Sequence, residues 1–511
     1  MALSQLRPSR FSVLNVIEKP APTCYERTYF LRQRHWLGMY RKRNGTKSMM
    51  FRYLQPAGAV LGLTTMPIRS QLRFLKMYGP SLAMGFLDDM ANGVVRAARR
   101  RPIPSGVEIT DFDPLDPATT ADPYPHYREL LSRGPVLFNP RRGIYILSRY
   151  EHVRAGARAS HVLSSADGIS YNRMRSPSLL TVDPPRHTAM RKQAQPAFTR
   201  GALESWQAMV EQLAVDHTAP LFANRQVDVV HTLAEPLPTA VIAHILGIAD
   251  DDLAAFKDWS NETVRLANAN MSLSGVKQGI AGMRAIGHFH HYFTNKLSQG
   301  QLLDEHTVLG RLVANAHSGK LTNDELFFFA FLLLLAGNET TTNMLGTLFL
   351  TLSDNPDQLQ LLQDRPDLIP SAIEEQLRYY APIQGLYRTA RADYVVEKAT
   401  IPAGSRVLLL WGAANRDPRH FENPDEFRVE RNPTGHLSFG SGVHLCLGAQ
   451  LARLEGHTVL REIVKHVDRI EIVGEPGWRT NPTLRGLAKL NVRVTRRDAA
   501  ADPADLADAH S

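Results

Sequence analysis

The run Leu326-Phe327-Phe328-Phe329-Ala330-Phe331-Leu332-Leu333-Leu334-Leu335-Ala336-Gly337-Asn338-Glu339-Thr340-Thr341-Thr342 limits the folds open to this chain more than any other segment. Twelve apolar residues lead into a polar cluster without leaving helical register. A helix apolar on every side needs an apolar medium around it, and a stretch this short does not span a bilayer. The run therefore predicts a helix through the centre of a large core. Gly337 would let that helix open or bend beside a ligand, freeing backbone groups. Glu339 and Thr340 stand where the helix turns polar, and in a dry site an acid and an alcohol can relay protons. The same two residues are also compatible with a threonine bonded back to a carbonyl one turn earlier and an acid at the surface.

A second segment, Phe439-Gly440-Ser441-Gly442-Val443-His444-Leu445-Cys446-Leu447-Gly448, presents one cysteine in a glycine-rich loop just before a helical run that begins at Ala449. A cysteine at such a junction faces unpaired N–H groups and the positive end of a helix dipole, which favour thiolate. Gly440, Gly442 and Gly448 allow unusual dihedrals and close approach to something flat, and Phe439 can cover the sulfur. A dinucleotide fingerprint would need a glycine where Leu445 stands, and one cysteine with one histidine falls short of a zinc ligand set. A lone thiolate held this way suits the axial position of a haem iron.

The loop resembles the haem-binding segment of the cytochrome P-450 superfamily, Phe-Gly-x-Gly-x-(His/Arg)-x-Cys-x-Gly, and matches every fixed position. The resemblance extends from about Asp113 to about Val494. It implies a mainly α fold with small β-sheets, and haem b between a long central helix and the cysteine loop. Cys446 would be the axial ligand, with Phe439, Gly440 and Gly448 around the cofactor. Gly337, Glu339 and Thr340 match the family's oxygen-activating segment. In Ala372-Ile373-Glu374-Glu375-Gln376-Leu377-Arg378, Glu375 and Arg378 are three apart on one helix face. With Arg431, beyond Phe421-Glu422-Asn423-Pro424-Asp425-Glu426-Phe427, they match the family's buried ionic cluster, a structural role. His187 and Arg191 at i and i+4, Arg388 and His444 match partners for the two haem propionates.

By the same resemblance the chain is a monooxygenase of the bacterial, ferredoxin-dependent type. It would take O2 and electrons from a ferredoxin and its NAD(P)H-linked reductase, and hydroxylate or epoxidise a hydrophobic small molecule. Pocket walls would come from residues 164–180, 259–293, 332–340, 383–387 and 483–487. Lys192 and Arg453 would face an acidic ferredoxin. A peroxide-driven peroxygenase or isomerase on the same fold, and a non-catalytic haem-binding sensor, remain open alternatives.

Composition fits a globular protein with room for a buried cofactor: 511 residues, 43% hydrophobic and 21% charged. Two cysteines give no disulfide framework, and a free thiolate suits a reducing compartment, so a cytoplasmic location is expected. The net charge of +9 is concentrated in the first hundred residues, for example in Arg41-Lys42-Arg43 and Arg99-Arg100-Arg101. Residues 1–105 are read as a basic extension, residues 106–495 as the haem domain and residues 496–511 as a disordered tail. The extension is expected to be solvated, with at most weak contact with a membrane surface through an amphipathic stretch over residues 71–78. No nucleic-acid partner, transmembrane segment or secretory signal is expected. Residues 136–138 and 144–147 read as a hairpin. His288, His290 and His291 fall around a helix axis and are expected to be solvated.

Overall fold

The structure is a computed structural model, and it describes residues 103–223, 226–248, 250–266, 273–304 and 307–497. The basic extension up to residue 102, the amphipathic stretch at 71–78 and the tail beyond residue 497 lie outside the described residues.

The chain enters through strand β1 (Val107–Ile109) and helix α1 (Tyr124–Ser132), followed by β2 (Val136–Asn139) and β3 (Ile144–Leu147). The expected hairpin is present, antiparallel, with Leu137 opposite Ile146. Helix α2 (Tyr150–Arg158) and β4 (Leu163–Ser164) precede a helical region of α3 (Arg186–Ala194) and α4 (Arg200–Ala223). After β5 (Val227–Asp228) come α5 (Pro236–Leu246), α6 (Leu253–Leu266), α7 (Leu273–Ser298) and α8 (Val308–His317). The long α9 (Asn323–Asp354) leads to α10 (Pro356–Asp364) and α11 (Ile369–Tyr379). Strands β6 (Leu386–Ala390), β7 (Tyr394–Val396), β8 (Ala399–Ile401) and β9 (Arg406–Leu409) follow. Helix α12 (Ala449–His466) then leads to β10 (Val467–Ile472), β11 (Gly477–Trp478), β12 (Leu487–Lys489) and β13 (Asn491–Arg496).

The fold is mainly α with small sheets, the largest of six strands in the order β1-β2-β3-β9-β6-β4. All five residues of β6 are buried, because this strand lies inside the sheet with core on both faces. No helix among the described residues is long and apolar enough to cross a membrane.

Helix α9 is the apolar run, and its start is chemically marked. The Thr322 hydroxyl accepts the Glu325 N–H at 3.2 Å while a Glu325 carboxylate oxygen accepts the Thr322 N–H at 2.9 Å, a reciprocal cap. Arg186 of α3 also donates to Glu325, pinning α3 to this helix start. Between its caps α9 is unbroken, so the expected opening at Gly337 does not occur. A Cβ at Gly337 would meet Ile242 Cδ1 of α5 at 3.1 Å, so the glycine lets two helices approach closely. A second correction concerns His290, which is buried with its ring 4.8 Å from that of Phe327. Helix α7 turns this face to α9, and the imidazole packs edge-on in an aromatic cluster instead of reaching water.

Glu375 and Arg378 of α11 are fully buried. Arg378 donates to both carboxylate oxygens of Glu375 at 2.7 and 2.8 Å, and to the carbonyls of Asn415, Pro424 and Glu426. Arg431 Nε adds a third bond to Glu375 at 2.9 Å. The cluster thus ties α11 to the irregular chain at 415–431, where few regular backbone bonds are available. Truncating Arg378 to alanine leaves the Glu375 charge buried beside one remaining cation. This should cost about 3–5 kcal/mol, read as a lowered urea midpoint; an unshifted midpoint would show the cluster to be dispensable.

Candidate functional site

The cysteine loop is shaped by two residues that must be glycine. Gly440 and Gly442 have φ of +71° and +75°, and a Cβ at Gly442 would stand 2.8 Å from the Ala157 carbonyl oxygen. Gly448 differs from expectation. Its φ is an ordinary −89°, and a Cβ there would meet nothing within 4 Å. Close approach by a flat group is therefore the reason left for a glycine at 448. The loop closes by a bond from Cys446 N–H to the Phe439 carbonyl at 2.9 Å. The Phe439 ring lies under the Arg453 guanidinium, 4.5 Å from ring centre to carbon.

Cys446 is an exposed residue, although protein closely surrounds its thiol. Burial pushes its thiol upward, and the Gly448 N–H, Arg191 and Arg453 only partly oppose this. The helix-terminus argument for a thiolate is thus outweighed by desolvation. A thiolate here needs positive charge closer than either guanidinium, which a directly bonded iron ion would supply.

His187, Arg191, Arg388 and His444 come from α3, β6 and the cysteine loop, and they converge. The His187 and His444 rings are 4.4 Å apart, and Arg191 Nη1 reaches the Val443 carbonyl at 3.4 Å. Both ring nitrogens of His187 lack a partner although the residue is buried. Burial lowers Arg388 to about 10, and His444 falls to about 3 through burial and the nearby Arg388, His187 and Arg191. The neighbouring carboxylate, Asp183, is already engaged by Ser164, Ser165 and Arg391. Buried donors with no anion of their own fit a ligand carrying carboxylates, such as the haem propionates.

On α9, Ala336 is exposed and Phe331, Leu332, Leu335, Gly337 and Thr340 are half-buried, while Leu333, Leu334, Asn338 and Glu339 are buried. The Thr340 hydroxyl donates to the Ala336 carbonyl at 2.8 Å, one turn back. Glu339 is buried, not at the surface, and desolvation raises its carboxyl to about 7, with Arg479 opposing and Glu235 reinforcing the rise. An acid that titrates near neutrality beside an alcohol on an exposed helix strip can hold and pass a proton.

Three of the expected wall segments meet through the backbone. Gln384 N–H donates to the Thr483 carbonyl at 2.7 Å, and Tyr387 N–H donates to that of Ile169 at 2.9 Å. Trp259, Phe289 and Phe293 instead form a cluster that seats α6 and α7 on α9. Among the described residues no group of three or more His, Cys, Asp or Glu could hold a separate metal ion.

Several residues that matter here carry no sequence signal. Arg406 of β9 is buried and holds the 164–180 loop through the carbonyls of Gly168, at 2.8 Å, and Ser170. Glu374, next to the ionic-cluster glutamate, accepts from Arg453 at 2.6 and 2.8 Å and bonds His436 at 3.0 Å. This corrects the expectation for Arg453: it is a brace under Phe439 and only 24% exposed, whereas Lys192 is exposed. Glu235 and Arg479, whose charges act on Glu339, carry no sequence signal either. A lone Glu beside a Pro-rich helix start and a lone Arg between short strands announce nothing.

A family model described as Cytochrome P450 matches residues 137–471. The beta-dihydromenaquinone-9 omega-hydroxylase of Mycobacterium tuberculosis is 53% identical over 83% of this chain and 87% of its own length. Cytochrome P450 130 of the same species is 35% identical over 75% of this chain and 98% of its own. The crystal structure of CYP109E1 from Bacillus megaterium with testosterone superposes with a TM-score of 0.68 at 30% identity, covering 74% of this chain and 99% of that one. Proteins of this family bind haem b through a cysteine thiolate.

Replacing His187 by phenylalanine removes two unpartnered polar atoms. The haem-free protein should then gain about 1–3 kcal/mol in urea unfolding, while haem transfers faster to apomyoglobin. Faster transfer without the gain would show that the imidazole is satisfied in the free chain. For Glu339 the folded-state value lies above the unfolded one, so its contribution is full below pH 4.5 and is lost as pH rises through about 7. That loss should be on the order of 3 kcal/mol and absent in Glu339→Gln. Parallel stability–pH curves for the two proteins would contradict it.

Proposed function

Because this chain belongs to the cytochrome P450 family, and is by that membership a haem monooxygenase, we propose that it hydroxylates the far end of a long isoprenoid chain on a quinone-like molecule. The observation that carries the cofactor assignment is the unpartnered, buried His187 edge-on to His444, on the loop that also holds Cys446. On this reading Cys446 is the axial ligand, and His187, Arg191, Arg388 and His444 receive the propionates. Phe439, Gly440 and Gly448 shape the cradle. When bound, haem supplies the reductive activation of dioxygen, chemistry no side chain performs.

The chain's own work is to position, to exclude water and to hold a proton. Phe439 and the Glu374–Arg453 brace keep the cysteine loop fixed behind the sulfur. The apolar strip of Leu332, Leu335 and Ala336 offers a wall with no charged side chain of its own. The proton is held at a Glu339 carboxylate oxygen, next to Thr340. That hydroxyl already has an acceptor in the Ala336 carbonyl, and its lone pairs stay free to accept a proton-bearing water or ligand.

The substrate class is supported by the printed activity of the relative that is 53% identical. An oxidant of low intrinsic selectivity reaches a chain end only if walls hold the substrate lengthwise. Electrons on this reading come from a separate ferredoxin and its NAD(P)H-linked reductase, with exposed Lys192 on the docking face.

Purified holoprotein titrated with polyprenyl quinones of increasing tail length should show a low-spin to high-spin change in the ferric spectrum, tighter with longer tails. With ferredoxin and reductase present, product should carry oxygen at the tail end. A spectral response to compact polycyclic ligands and none to polyprenyl quinones would overturn the substrate class.

A further inference from the structure

Glu339 borders a polar pocket that the ionic cluster and the cysteine loop do not touch. Its other lining residues are Glu235, Thr239, Lys257, Asn338, Thr342 and Arg479. They come from four places: the start of α5, helix α6, helix α9 and the chain between β11 and β12. A single-turn π-helix, Val230–Ala234, ends on Glu235, whose N–H bonds the Val230 carbonyl five residues back. Such turns re-aim the side chain that follows them.

Glu235 gathers the basic side chains. Arg479 Nη2 donates to one of its carboxylate oxygens, with Lys257 Nζ at 3.6 Å and His231 Nδ1 at 3.1 Å from the other. Arg479 is held from behind as well, its Nε donating to the Leu487 carbonyl at 3.0 Å. The outer members reach solvent: His231 is 62% exposed and Lys257 36%, against 12% for Glu235. Glu339 lies within the field of the same guanidinium yet makes no ion pair with it, and the Glu235 charge also acts on it. Asn338 accepts from Thr239 at 3.1 Å and from Thr342 at 3.4 Å, so the amide is bound into the pocket wall.

We propose that Glu235 is a positioning residue: it competes with Glu339 for Arg479, and by winning that guanidinium it leaves Glu339 free to carry a proton. The pocket with its outer basic side chains is then the solvent side of the acid's proton exchange. Like charge reinforces the effect, because the Glu235 carboxylate itself disfavours a second carboxylate next to it. If Glu235 loses its charge, Arg479 is left with Glu339 as its one carboxylate in the pocket, and a half-buried guanidinium pulls such a partner toward ionisation. The consequence for turnover rests on the monooxygenase reading. The charge competition does not.

The test is an infrared pH titration of the resting holoenzyme, following the carboxylic acid C=O band that disappears in Glu339→Gln. Glu235→Gln should move the midpoint of that band down by at least one pH unit, and Glu235→Asp, which keeps the charge, should restore most of the shift. Arg479→Gln alone should move it up. In the double variant the effect of Glu235→Gln should fall to less than half, because its mediator is gone. A midpoint unchanged in Glu235→Gln, or the same shift with and without Arg479, overturns the proposal. With ferredoxin and reductase, Glu235→Gln should give less product per O2 at pH 7.5 and regain coupling at lower pH. If the band moves as stated while no compound is oxygenated by any variant, the competition stands and the catalytic reading fails.

Discussion

The site turns on holding a sulfur anion in a protein surround that disfavours its charge. Burial pushes the Cys446 thiol upward, so the chain by itself does not favour thiolate there, even with Arg191 and Arg453 nearby. What the chain does supply is rigidity. The Cys446 N–H is fixed on the Phe439 carbonyl, and Phe439 is held by a guanidinium that Glu374 grips with both oxygens. Asn415 donates to Ser438 and accepts from the Leu437 N–H, and the Arg378 guanidinium bonds the Asn415 carbonyl. The fully buried Glu375–Arg378 pair is thereby one residue removed from the loop. Its value is less in net stability than in orienting a loop with little regular backbone pairing.

Two buried glutamates show how surroundings assign work to the same side chain. Glu375 accepts from both neighbouring arginines and a backbone N–H, so both of its oxygens are bonded. Glu339 is buried to a similar degree with no ion pair, and its carboxyl rises to about 7. One is committed to an ion-pair cluster that braces the fold, while the other is poised between states. The difference lies in where the cations are committed.

Much of this was legible because it is local. The capped apolar helix, the hairpin at 136–147, the i, i+3 spacing of Glu375 and Arg378 and the glycine pattern before Cys446 all place cause and effect within a few residues. Legibility fails where partners are distant. Arg479 meets Glu235 across 244 residues and Arg406 meets Gly168 across 238, and no periodicity marks either pair. It also fails where a local rule loses to packing. A glycine next to a polar cluster suggested a helix break at 337, but its use is contact with Ile242. A helix terminus suggested a thiolate at 446, but desolvation is the larger effect. His290 belonged to a polar-looking triplet and yet sits on the aromatic face of α7.

Several groups that cost the free chain are those the site assembles. His187 is buried without a partner, Arg388 is buried far enough to fall to about 10, and Glu339 ionises only with difficulty. Each opposes folding by an amount comparable to a lost hydrogen bond or more. They are tolerable because the rest of the core is apolar and continuous, from α4 and α5 through α9 to α12. It follows that cofactor binding and folding share one free-energy balance here. A ligand that brings two carboxylates to His187, Arg191, Arg388 and His444, and a cation to Cys446, relieves those costs together, so its affinity includes stability that the empty chain lacks.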